Sequence, residues 1–126
     1  MRPEIHDADD TDFARFFKTQ APATRWRGKC IRKGDLVKAM AGVVLSDDGR
    51  YFAFMELRGA GRFPLVFRRV LRFLENTIED FEIDEVFAFC DDRYPRAHQF
   101  IERLGFVKTE EEHDQGKVWR WRASEQ

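Results

Sequence analysis

Cysteine is scarce in this chain, with only Cys30 and Cys90 among 126 residues. Neither has a partner at metal-ligand spacing, and both sit in apolar stretches where a free thiol behaves as a small hydrophobe. A disulfide framework is therefore not expected, and a reducing, cytoplasmic setting is. Long hydrophobic runs are also missing, so no segment reaches the roughly 20 apolar residues of a membrane span. The start, Met1 to Asp7, is polar and acidic and lacks the apolar stretch of a signal peptide. Nor is there an excess of either charge. A formal net charge of -1 leaves no global electrostatic case for nucleic acid or an anionic membrane. With no repeat and no low-complexity linker, residues 1–126 are expected to form a single domain.

What is present is 43% hydrophobic and 36% charged residues, the balance of a soluble globular chain. Thirteen phenylalanines predict a core filled by aromatic rings. Glu4 to His6 reads as a short first strand. Asp9, Asp10 and Thr11 offer N-cap oxygens to a helix carrying Phe13, Phe16 and Phe17 on one face and ending near Gln20, before Ala21-Pro22-Ala23. Trp26 to Ile31, Leu36 to Leu45 and Tyr51 to Leu57, separated by the turn signals at Gly34-Asp35 and Asp47-Asp48-Gly49, read as an antiparallel meander.

The period then lengthens. Phe63, Phe67, Val70, Leu71, Leu74, Ile78 and Phe81 form a helical stripe, with Pro64 suited to the first helical position. Glu85 to Cys90 is a buried strand. Pro95 to Leu104 is a helix closed by Gly105, with Phe106 as its hydrophobic contact. Val107 to Ala123 folds back around His113 to Gly116 as a terminal hairpin carrying Trp119 and Trp121, a candidate homodimer surface. The order β-α-β-β-β-α-β-α-β-β predicts an α+β fold, a mixed and mainly antiparallel sheet with helices on both faces.

Between the third meander strand and the long helix lies Glu56-Leu57-Arg58-Gly59-Ala60-Gly61-Arg62-Phe63-Pro64. Two glycines allow a tight turn and close backbone approach to a ligand. The following helix start offers N–H groups suited to phosphate oxygens, and Arg58 and Arg62 add charge-assisted donors. The segment reads either as a pyrophosphate cradle or as a glycine-containing connector with solvated arginines.

Further on, Arg96 to Phe106 ends its helix in Leu104-Gly105-Phe106. This resembles the signature of the GCN5-related N-acetyltransferases, where such a helix follows the fifth strand and precedes a terminal hairpin. The segment Arg58-x-x-Gly61-x-Phe63 is also similar to that family's phosphate motif, although Phe63 replaces its last small residue. The resemblance implies an acyl-CoA-dependent N-acyltransferase, with acetyl-CoA or another acyl-CoA as cofactor and a small-molecule or protein amine as acceptor. The strand Tyr51 to Leu57 would splay from Val86 to Cys90. Pantetheine would pair with backbone near Phe54, Met55 and Leu57, and the pyrophosphate would meet amides of Arg58, Gly59, Ala60, Gly61, Arg62 and Phe63. Arg68 or Arg69 stands within reach of the nucleotide's phosphates or in solvent.

Direct amine attack on a thioester needs a base, oxyanion donors and an acid for the thiolate. Glu56 is the candidate base, and Asp91 and Asp92 suit helix capping or a cationic substrate. Many active family members place a tyrosine acid where this chain has Ile101, which cannot donate a proton; Tyr94 is the candidate substitute. Ile101 and Phe63 motivate an alternative, a non-catalytic interaction protein on the same fold, similar to acetyltransferase-like virion components of bacteriophages. A third reading, nucleic-acid binding, rests on Trp26 set among Arg25, Arg27, Lys29, Arg32 and Lys33, and near-neutral charge opposes it. His6, His98 and His113 lie on separate elements, so no metal site is expected.

Overall fold

A computed structural model describes residues 4–34, 36–57, 66–90, 95–114 and 116–126. In chain order the elements are β1 (Glu4–Ala8), α1 (Asp10–Phe17), β2 (Trp26–Lys33), β3 (Leu36–Leu45), β4 (Tyr51–Leu57), α2 (Val66–Phe81), β5 (Glu85–Cys90), α3 (Pro95–Arg103), β6 (Val107–His113), β7 (Gly116–Arg122) and a closing 3-10 turn, Ala123–Glu125. All seven strands join one sheet in the order β1-β2-β3-β4-β5-β7-β6. Each neighbouring pair is antiparallel except β4 with β5.

Local chemistry explains the helix ends. Asp9 caps α1 in a reciprocal box: its carboxylate accepts from the Asp12 N–H at 2.8 Å, and Asp12 accepts from the Asp9 N–H at 3.1 Å. The helix stops at Phe17, not near Gln20, because Lys18 adopts a left-handed conformation (φ 58°) before the proline is reached. At the end of α3, Gly105 (φ 104°) donates to the Glu102 carbonyl at 3.0 Å and Phe106 to the Ile101 carbonyl at 3.1 Å. These are the two bonds of a Schellman ending, with Gly105 and Phe106 in the expected roles.

Helices cover both faces of the sheet. On one, Leu74 and Ile78 of α2 and Ile101 and Leu104 of α3 bury against Val43, Val86, Ala88, Trp119 and Trp121. On the other, Phe16 of α1 buries against Cys30, Val37 and Met40. The expected aromatic core is corrected in one respect. Phe16 and Phe106 are fully buried, while Phe13, Phe17, Phe54, Phe81 and Phe100 flank the two clusters half-buried.

Trp119 and Trp121 are buried at 3% and 5% exposure, and the Trp121 indole donates to the Leu104 carbonyl at 3.1 Å. Their rings serve the core of the chain. The basic stretch around Trp26 is likewise engaged internally. Arg27 pairs with Asp80, Lys29 with Asp7 and Arg32 with Asp12. The Arg25 guanidinium lies 4.0 Å from the Phe81 ring centre, and the Trp26 indole donates to Asp10 at 2.9 Å.

Candidate functional site

The parallel contact between β4 and β5 is brief. Phe52 pairs with Phe87 and Ala53 with Ala88, and there the pairing stops. Both strands run on, β4 to Leu57 and β5 to Cys90, so their C-terminal ends part as a V. On its other side β4 remains paired with β3 as far as Leu57 opposite Ala39. Beyond Ala53 the edge of β4 that faces β5 thus has no β5 partner, and an extended ligand can hydrogen-bond there as a strand would.

Beneath the V lies a cavity of ≈ 140 Å³, whose lining includes Phe54, Met55, Phe89, Cys90, Phe100 and Ile101. It sits between α2 and α3 and is almost wholly apolar. A second cavity of ≈ 330 Å³ lies on the far side of α2, over β1 to β4. Its floor includes Ala39 and Ala41, and Lys29, Arg69 and Arg72 stand in its wall. The two cavities share Ala41, Met55, Val70 and Phe73. Sequence reasoning missed the second one. Its signal was the pair Ala39 and Ala41, small residues on one face of a strand, which leave an opposing helix without a packing partner.

Of the proposed site residues, Phe54 and Met55 are among those that line the cavity beneath the V. The Phe54 ring turns to the α1 face, 5.9 Å from Phe13 and 5.8 Å from Phe17 between ring centres. Leu57 is placed through its backbone, at the end of β4. Glu56 is solvent-exposed on β4, opposite Met40. Ile101 is buried against the cleft at 8% exposure. Arg58, Gly59, Ala60, Gly61, Arg62 and Phe63, with Tyr94, Asp91 and Asp92, lie outside the described residues. Among the described residues no group of three or more histidine, cysteine or acidic side chains comes together as a metal site. Burial pushes the Cys30 thiol up, so it stays protonated and inert.

The sheet face opposite α2 and α3 carries a second feature at the β4–β5 junction. Phe52 and Phe89 stack at 5.1 Å, with Phe87 5.8 Å from Phe52. The Arg50 guanidinium lies over this platform, 5.1 Å from Phe52 and 4.9 Å from Phe87. It is held by Asp48 at 2.8 Å and Glu111 at 2.9 Å, which ties the β3–β4 turn to β6. Asp48 accepts from the Ser46 hydroxyl and from Arg50, and these donors pull its carboxyl down to about 2. Arg50 also lowers Glu111, Lys29 lowers Asp7, and the Asp12 N–H lowers Asp9.

All four folded-state values lie below the ordinary ones of 3.8 for aspartate and 4.5 for glutamate. The stability these groups contribute is complete above the unfolded-state values and is lost as pH falls through the folded ones. The urea midpoint is therefore expected to hold from pH 7 to about 5 and to decline toward about pH 2. Asp48→Asn should flatten the acid end of that decline. A midpoint that rises on acidification would contradict the assignment.

A mixed sheet with one short parallel contact that splays over an apolar cleft, flanked by helices on both faces, defines a fold class. This chain has the fold of the GCN5-related N-acetyltransferases. Among solved structures it is similar to yncA of Salmonella typhimurium, solved with its cofactor acetyl-CoA, at 12% identity and TM-score 0.70 over 98% of this chain and 95% of that one. It is also similar to the ribosomal-protein-S18-alanine N-acetyltransferase of Escherichia coli, at 14% identity and TM-score 0.66 over 96% and 94%. A third is the GNAT domain of S. lividans PAT, at 12% identity and TM-score 0.68 over 91% and 69%. No family sequence profile matches the chain, and no curated protein matches it by sequence. Among the described residues no helix is long and apolar enough to cross a membrane.

Proposed function

We propose that this chain binds an acyl-CoA in the β4/β5 cleft and transfers its acyl group directly to a primary amine. The observation that carries this reading is the strand pairing that ends at Ala53 and Ala88 above an apolar cavity. The acyl-CoA supplies an activated thioester carbonyl. The free edge of β4 orients the pantetheine amides, and Met55 and Ile101 keep water from the arm. The sequence of residues 58–63 supplies glycines and arginines for the pyrophosphate. Glu56 is the group on hand to take the ammonium proton, through water; the amine nitrogen bonds the carbonyl carbon as its bond to sulfur breaks, and Tyr94 is the candidate to protonate the leaving CoA thiolate. Similarity to a structure solved with acetyl-CoA and to an alanine N-acetyltransferase supports the same reading.

One observation favours a second reading, in which the fold binds CoA without turnover. Ile101, which has no proton to give, is buried against the cleft. Titration calorimetry with acetyl-CoA tests binding; at a hundredfold excess over Kd the ligand also adds about 2.7 kcal/mol of stability. Gly61→Glu should weaken binding on the order of a hundredfold, since it sets an unpaired charge against the diphosphate. No heat and no thermal shift at millimolar ligand would sink the proposal. Binding without acetylation of any amine in a broad screen selects the second reading.

A further inference from the structure

We propose that the cavity between α2 and the β1–β4 part of the sheet receives the hydrocarbon chain of a medium-chain acyl-CoA. The proposal rests on the acyl-CoA reading above and names the acyl class. A two-carbon acyl group needs no room beyond the ≈ 140 Å³ cleft, yet an adjoining apolar space of ≈ 330 Å³ shares Ala41, Met55, Val70 and Phe73 with it. These shared residues form the partition, and Met55 is 41% exposed there. Ile5, 36% exposed, lines the second space as well. Large apolar side chains left uncovered in a concave site mark a place for an apolar ligand.

The residues that open the space are specific. Register sets Ile5, Ile31 and Ala39 in one row across the sheet, and Lys29, Ala41 and Met55 in the next. Ala39 and Ala41 lie in these two adjacent rows under α2, where Phe73 and Asn76 look down on them. Arg69 and Arg72 are exposed, and Lys29 is paired with Asp7. Their charged heads reach water, and their aliphatic stems extend the apolar wall. The space is thus apolar inside and charged only at its rim. A hydrocarbon chain suits that lining, because each methylene it buries is worth roughly a fourfold gain in binding.

The experiment compares CoA, acetyl-CoA and octanoyl-CoA by titration calorimetry against the full chain, with the octanoyl thioester kept below its micellar concentration. Octanoyl-CoA is expected to bind at least about tenfold more tightly than acetyl-CoA, a gain that needs only about two buried methylenes. Ala39→Leu, which fills the floor, should erase that advantage while leaving acetyl-CoA affinity unchanged. Asn76→Phe fills the same space from an exposed helix position and gives the test if Ala39→Leu does not fold. Equal affinities for the two thioesters overturn the proposal and leave the acyl-CoA reading standing. An octanoyl advantage that survives both substitutions also overturns it, since the chain then lies elsewhere. If no thioester binds, the acyl-CoA reading itself fails.

Discussion

Gly42→Val is expected to remove about 3 kcal/mol of folding stability, at the upper end of what overpacking costs. Gly42 lies in the middle of β3, opposite Gly28 of β2 and Phe54 of β4. A Cβ at this position would stand 2.6 Å from the Arg27 carbonyl oxygen and 2.6 Å from the Phe54 ring. The carbonyl belongs to the neighbouring strand and cannot withdraw without loosening the β2–β3 ladder. The ring cannot swing away either, because Phe13 and Phe17 of α1 pack against it, and Phe13 also meets Trp26 at 5.3 Å.

The absent side chain is thus what lets α1 lie close to the sheet. Valine should lower the urea midpoint and weaken the near-ultraviolet dichroism of the aromatic cluster. Gly28→Ala is the milder comparison, since its nearest obstacle is the edge of the Trp26 ring at 2.9 Å. A Gly42→Val protein as stable as the parent would show that Phe13 and Phe17 do not hold the Phe54 ring over β3.

Leu74→Ala should cost about 2–5 kcal/mol, the range for a buried leucine reduced to a methyl. Leu74 is 3% exposed and joins α2 to Val43, Val86 and Ala88 in the larger core. It also lines the β4/β5 cleft, so its removal enlarges a space already present. Partial collapse of the cleft would place the cost low in the range, and a rigid cavity would place it high. Leu36→Ala, at a position 57% exposed, serves as the control. It should change stability by less than about 0.5 kcal/mol. Equal effects of the two substitutions in a urea titration would refute the assignment of the core.

Much of the architecture is legible in the residues alone. The β4 boundaries, the buried strand Glu85–Cys90 and the Gly105–Phe106 helix ending follow from short-range periodicity and one residue's freedom at positive φ. Where expectation and fold differ, the cause is a contact or a conformation that spacing does not carry. Pro22 predicts an α1 that runs to Gln20, whereas Lys18 turns left-handed first. Composition points to phenylalanine in the core, but the rings buried in the larger cluster are Phe106, Trp119 and Trp121, and Phe81 and Phe100 only flank it. The basic run around Trp26 reads as available for a partner, yet Asp7, Asp12 and Asp80 reach it from distant elements.

By itself the sequence determined the order of strands and helices and the faces they bury, since both are written in spacings of two and of about 3.6 residues. Only the tertiary structure decided that β4 and β5 part after Ala53 and Ala88, and that two cavities meet across Met55 and Phe73. Those features depend on registers between segments far apart in the chain and on the volume left when a helix settles over alanines. Packing creates that volume, and no local pattern encodes it.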